Sequence, residues 1–134
     1  MVQAAAAKKI GWIGTGVMGK PMAQHILSNG YHLMVFNRTA SKADALVEAG
    51  AQFMEPIEIA KQADYLFMML GYPQDVERMA LDPQVGVLRH MRAGSTLIDH
   101  TTSSPAIAEA ISREADARQV HSIDAPVSGG DIGA

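Results

Sequence analysis

Cysteine is absent from the sequence, and with it go disulfide frameworks, thiolate metal sites and any cysteine nucleophile. That suits an intracellular protein; a cytoplasmic one is expected, with a mitochondrial location left open. Long apolar runs are lacking too. The strongest, 65–70, stops at Gly71 and Pro73, far short of the about 18 residues that a membrane-spanning helix requires, so no membrane partner is expected. Cations are not in surplus: 11 basic residues stand against 14 acidic ones, for a net charge of −3. Without that surplus the phosphates of duplex nucleic acid would go unneutralised, and no nucleic-acid partner is expected. The stretch 1–9 holds an alanine run and two lysines, but neither the apolar core of a signal peptide nor the arginines of a transit peptide. It reads as a disordered segment over 1–8, ahead of one domain over 9–134. The histidines His25, His32, His90, His100 and His121 show no close metal-ligand spacing, so no metal is expected.

What is present fits one ordinary domain: 134 residues, 48% of them hydrophobic, enough for a core with two covered faces. Short apolar runs at 10–13, 33–36, 52–54, 65–70, 96–98 and 121–123 alternate with segments of helical period. That alternation predicts βα units around a parallel sheet buried on both faces. Met18, Met22, Ile26 and Leu27 recur at helical spacing before a stop at Asn29 and Gly30, with Pro21 tolerable if the helix begins near Val17 or Met18. Ser41 and Asp44 resemble a capping box ahead of Leu46 and Val47. A third helix enters through Pro56 and ends before Asp64, carrying Ile57, Ala60 and Lys61. A fourth follows Pro105 with the stripe Ile107, Ala108, Ile111 and Ala115, and with Glu109 and Arg113 as an i,i+4 pair on its wet side. The fold class is therefore α/β, a Rossmann-type doubly wound parallel sheet in a single domain.

The run Gly14, Thr15, Gly16, Val17, Met18, Gly19 is G-x-G-x-x-G, and it lies between a predicted strand and a predicted helix, the context that turns a weak motif into a strong one. Gly14 allows the tight turn, Gly16 lets the backbone approach a pyrophosphate, and Gly19 lets the helix pack on the sheet; the anion then meets the helix N-terminus. At the end of the second strand, where an NAD enzyme usually presents an acid to the ribose, stand Asn37, Arg38 and Thr39. Asn37 can hydrogen bond to a ribose or phosphate oxygen, and the Arg38 guanidinium is a planar fork of donors suited to the 2′-phosphate of NADP. NADP is thus the expected cofactor, with NAD possible. The absent acid also argues against FAD and against a methyltransferase of similar sheet order.

The segment from Gly11 to Ala23, with Gly14, Gly16, Met18, Gly19, Lys20, Pro21 and Met22, resembles the opening signature of the β-hydroxyacid dehydrogenases. That family includes 3-hydroxyisobutyrate dehydrogenase and, more distantly, 6-phosphogluconate dehydrogenase. Asn37, Arg38 and Thr39 resemble its NADP-preferring members. Asp99, His100, Thr101 and Thr102, followed by Pro105, resemble its D-x-S-T-x-x-P segment with Thr101 in place of the usual serine. Asp124, Ala125, Pro126, Val127, Ser128, Gly129 and Gly130 match its D-A-P-V-S-G-G segment in full. The resemblance implies that Thr102 contacts the cofactor, that Met69 and Leu70 lie on a loop passing it, and that Ser128, Gly129 and Gly130 hold the substrate carboxylate. Consecutive amides after a Gly-Gly, with one hydroxyl, also make an anion-binding concavity on chemical grounds alone.

The resemblance further implies a second, all-helical domain carrying a lysine that moves the proton at the substrate hydroxyl; both are expected to lie beyond this chain, which leaves it no catalytic residue of its own. The function expected is the NADP(H)-binding part of an oxidoreductase interconverting a short β-hydroxy acid and its semialdehyde. The alternative is a stand-alone, non-catalytic dinucleotide-binding module. Apolar surface left by the second domain predicts a homo-oligomer or association through that face.

Overall fold

A computed structural model describes residues 8–16, 18–101 and 104–127. Six strands form one parallel sheet in the order β3-β2-β1-β4-β5-β6: β1 Lys9–Ile13, β2 His32–Phe36, β3 Gln52–Phe53, β4 Tyr65–Met68, β5 Thr96–Asp99 and β6 His121–Asp124. Between them run α1 Gly19–Ser28, α2 Asp44–Glu48, α3 Pro56–Gln62, α4 Pro73–Leu81 and α5 Pro105–Ala117. The doubly wound reading holds. Strand order reverses between β1 and β4, and such a switch point opens a crevice at the carboxyl ends of the strands.

Alternation within each strand explains why both faces are apolar. Ile10 and Trp12 of β1, with Leu33 and Val35 of β2, pack against Ala23 of α1 and Leu46 of α2. Ile13, Met34, Leu66, Met68 and Leu97 point the other way, onto Ile59, Val76, Ala80, Ile111 and Ala115 of α3, α4 and α5. Leu66 is fully buried, so truncation to alanine there would cost about 2–5 kcal/mol.

Several local expectations are corrected. The first helix begins at Gly19 rather than at 17 or 18, which puts Pro21 on its third residue, still among the amides that have no intrahelical partner. Ser41 caps nothing: it lies inside a 3-10 turn, Ala40–Ala43, and α2 starts at Asp44 without a side-chain cap. There Asp44 serves instead as a first-turn acid facing the helix dipole. Glu109 and Arg113 do not pair; in α5 the ion pair is Glu114 with Arg118. Both expected partners are exposed, where an ion pair gains too little to order two long side chains. β4 ends at Met68, and Met69 and Leu70 turn out of the strand. Of the segment 1–8 only Lys8 is described; its ammonium sits 5.8 Å from the centre of the Tyr65 ring. Among the described residues no helix is long and apolar enough to cross a membrane.

Candidate functional site

At the switch point lies a cleft of about 780 Å³, within the range of small-molecule and cofactor sites. The glycine turn forms its floor through Gly14, Gly16, Met18 and Gly19. The end of β2 contributes Asn37, Arg38 and Thr39, and the loop after β4 contributes Met69, Leu70 and Gly71. These segments, far apart in sequence, are brought to one place. Thr15 is buried and does not line the cleft. Val17, Thr102, Ser128, Gly129 and Gly130 lie outside the described residues.

The three glycines differ in what a side chain would meet. Gly14 has φ +104°, and an added Cβ would fall 2.0 Å from the Met69 carbonyl oxygen. At Gly19 it would fall 1.9 Å from the Gly14 carbonyl oxygen. Both therefore serve the packing of the turn. At Gly16 nothing lies within 4 Å, so its bare backbone leaves space that the protein itself does not use. The turn is stitched down on three sides. The Gly14 amide donates to the Phe36 carbonyl at 2.9 Å, the Thr15 amide to Asn37 Oδ1 at 2.9 Å, and the buried Trp12 indole Nε1–H to the Gly14 carbonyl at 2.8 Å. Asn37 in turn donates through Nδ2 to the Thr39 carbonyl at 3.0 Å. Its first task is thus to lock the glycine turn to the end of β2, which leaves one N–H and one lone pair for other partners.

This cradle fits a dinucleotide. No side chain caps α1 and no acid stands in its first turn, so its N-terminus is left to an anion. The cations Arg38 and Lys42, four residues apart across the 3-10 turn, both line the same cleft. Lys42, and the lining residues Ile57, Arg78, Met79 and Val85, escaped the sequence reading. Lys42 was legible as a second cation at four-residue spacing from Arg38. Arg78 and Met79 were hidden because α4 was not expected, although Val76, Met79 and Ala80 recur at helical spacing behind Pro73.

Beyond the cleft, at the carboxyl ends of β5 and β6, Asp99 is buried. Burial pushes its carboxyl above the ordinary carboxylate range; Thr101 hydrogen bonds pull it back in part, and Asp124 adds to the rise. The Thr101 amide donates to Asp99 Oδ1 at 2.9 Å, and the Leu70 amide donates to Thr101 Oγ1 at 2.8 Å. His100 stacks on Phe67 and on Trp12, and its Nδ1 lies 2.7 Å from the Ala125 carbonyl oxygen. The segment that follows β6 thus leaves from the same end of the sheet as the glycine turn.

The chain matches, over residues 9–134, the family described as the NAD binding domain of 6-phosphogluconate dehydrogenase. It is 51% identical over 94% of its length to a probable 3-hydroxyisobutyrate dehydrogenase-like 1 protein, mitochondrial, of Arabidopsis thaliana, of which it covers 38%. Among solved structures, it superposes on the Mycobacterium tuberculosis 3-hydroxyisobutyrate dehydrogenase with L-serine at a TM-score of 0.86 and 29% identity, over 95% of this chain and 43% of that one. On Psf3 in complex with NADP+ and 2-OPP the TM-score is 0.88 at 29% identity, over 93% of this chain and 44% of that one. The chain therefore spans 38–44% of the length of these proteins. Its glycine cradle, its strand order and this match over nearly its whole length together make it a member of the β-hydroxyacid dehydrogenase family, as that family's dinucleotide-binding domain.

Proposed function

We propose that the chain is the NADP(H)-binding domain of an oxidoreductase that interconverts a short β-hydroxy acid and its semialdehyde. One observation carries the cofactor choice: Arg38 and Lys42 share a cleft with the open Gly16 backbone, and no acid stands at the end of β2. A carboxylate there would repel a 2′-phosphate, whereas a guanidinium and an ammonium attract one. NAD(H) can occupy the same cradle with fewer contacts. The bound nicotinamide supplies the hydride chemistry. What this chain adds is orientation: Gly16 and the N-terminus of α1 hold the pyrophosphate, and Met69 and Leu70 wall the cleft. Thr102 is assigned to the cofactor, and Ser128, Gly129 and Gly130 to the carboxylate of the hydroxy acid.

The proton step is assigned elsewhere. Lys42 lines the cleft, as Arg38 does, Lys61 is paired with Glu58 on α3, Lys20 is on α1, and Lys8 and Lys9 precede or begin β1. Among the described residues none of them lies on β6 or on the segment that follows it. This favours binding without turnover by these 134 residues, the second reading, a non-catalytic module. Calorimetric titration with NADP(H) and NAD(H) tests the cofactor assignment. Tighter NADP(H) binding is expected, weakened about tenfold to a hundredfold by Arg38→Ala and less by Lys42→Ala, with NAD(H) affinity nearly unchanged. Equal affinity for both cofactors that Arg38→Ala leaves untouched refutes the NADP assignment. Turnover of a 3-hydroxy acid by the purified chain refutes the non-catalytic reading.

A further inference from the structure

We infer that Asp99 and Thr101 are positioning residues for the dinucleotide: through the Thr101 hydroxyl they fix the backbone of Leu70 as a wall of the cleft. The inference rests on the dinucleotide reading above and assigns a task to two side chains that do not line the cleft.

The geometry begins where β4 stops. The Met69 amide still donates to the Ile13 carbonyl at 2.9 Å, in line with the sheet. One residue later the Leu70 amide has left the ladder and donates to Thr101 Oγ1 at 2.8 Å, across 31 residues of sequence. This side chain thus decides where the β4–α4 loop turns away from the sheet and over the cleft. Tolerance there is small. Leu70 lies against the glycine turn so closely that a Cβ added at Gly14 would stand 3.2 Å from Leu70 Cδ2 and 2.0 Å from the Met69 carbonyl oxygen.

Thr101 is itself held. It is 3% exposed, and its amide donates to Asp99 Oδ1 at 2.9 Å, which fixes the backbone that carries the hydroxyl. A hydroxyl has one proton and two lone pairs. One lone pair accepts the Leu70 amide, and the Asp99 carboxyl, by holding the Thr101 amide, sets where that lone pair stands. Asp99 is held in place by its own backbone, whose carbonyl accepts from the Ala125 amide at 2.9 Å. Asp99 and Asp124 are register partners on adjacent strands. Burying a carboxyl beside a second acid works against stability, so what this arrangement provides is an orientation.

The test is a double-mutant cycle on the full 134-residue chain, read by calorimetric Kd for NADP(H) and by hydrogen exchange at the Leu70 amide. Thr101→Val keeps the shape and removes the acceptor: about tenfold weaker binding is expected, with faster Leu70 exchange. Thr101→Ser restores the hydroxyl and should bind within about twofold of the parent. Asp99→Ala should weaken binding on its own but add nothing in the Thr101→Val background, because it acts through that hydroxyl. Parental affinity in Thr101→Val, or independent and additive losses, overturns the inference while leaving the dinucleotide reading intact. Failure of the unmutated chain to bind either dinucleotide overturns both. Should Thr101→Val not fold, the Asp99→Ala and Thr101→Ser pair still decides: a serine variant as weak as Asp99→Ala would defeat the hydroxyl's role.

Discussion

Gly14 and Gly16 stand two residues apart in one turn, yet a methyl group added to each has opposite consequences. At Gly14 it meets a backbone carbonyl at 2.0 Å on a residue with φ +104°, so Gly14→Ala should destabilise by more than about 2 kcal/mol, read as a lowered Tm. At Gly16 it meets nothing within 4 Å, so the fold should be unchanged within about 0.5 kcal/mol while, on the proposed cofactor placement, dinucleotide affinity falls tenfold or more, because the methyl would enter the space assigned there to the pyrophosphate. Unaltered affinity in Gly16→Ala would show that the phosphates lie elsewhere. Asp99 offers a second contrast at this scale. Burial raises its carboxyl above the usual range, so the folded chain binds this proton more tightly than the unfolded one. Its contribution to stability is therefore present at low pH and lost as pH rises from the unfolded value through the raised one. Asp99→Asn abolishes that loss and keeps an acceptor for the Thr101 amide. Its Tm relative to the parent should rise as the pH is raised above the ordinary carboxylate range; a difference that shrinks on the same rise would mean that Asp99 is stabilised as a carboxylate.

At the scale of the element, the opposite end of the sheet supplies the control. Asp64, just ahead of β4, accepts the Lys9 amide through Oδ2 at 2.8 Å and Arg92 Nη2 through Oδ1 at 2.9 Å, and its carbonyl accepts the Thr96 amide at 3.0 Å. It thus joins the starts of β1, β4 and β5. Partial burial pushes its carboxyl up, but the Lys9 hydrogen bond and Arg92 outweigh that and hold it below the ordinary range. The sign is the reverse of that for Asp99: this stability is present above the unfolded pKa and fades as pH falls through the depressed one. Asp64→Asn should cost about 1 kcal/mol near neutrality, given its partial exposure, with no change in cofactor affinity; a coupled loss of affinity would show that the two ends of the sheet communicate. Elements were legible in proportion to how local their cause is. β1 and β2 are near-continuous apolar runs, and α5 carries its own stripe and proline start, so both kinds showed in the sequence. β4 was overextended because Met69 and Leu70 look like strand residues, and only the distant Thr101 hydroxyl takes the Leu70 amide out of the ladder. Met79 and Val85 were missed for a different reason: they reach the cleft on α4 and on the loop after it, and the local signal of α4, its Pro73 start and the spacing of Val76, Met79 and Ala80, is short and follows directly on the apolar run of β4.

Across the whole molecule a single row of register partners runs Val35, Trp12, Phe67, Ile98, Ile123 through β2, β1, β4, β5 and β6, so all point to one face of the sheet. α1 and α2 cover its beginning, where Val35 is 0% and Trp12 1% exposed, but Ile98 is 7% and Ile123 51% exposed. β6 is also the outer strand of the sheet among the described residues, and an exposed edge beside an apolar side chain favours pairing with another chain. We expect these 134 residues to self-associate through that end of the sheet, with two copies burying Ile123 against each other. Light scattering should then show a mass that rises with concentration, and Ile123→Lys should return it toward the monomer without altering NADP(H) affinity, because Ile123 does not line the cleft. A monodisperse monomer at high concentration overturns this expectation. Association that Ile123→Lys leaves intact would move the contact away from β6.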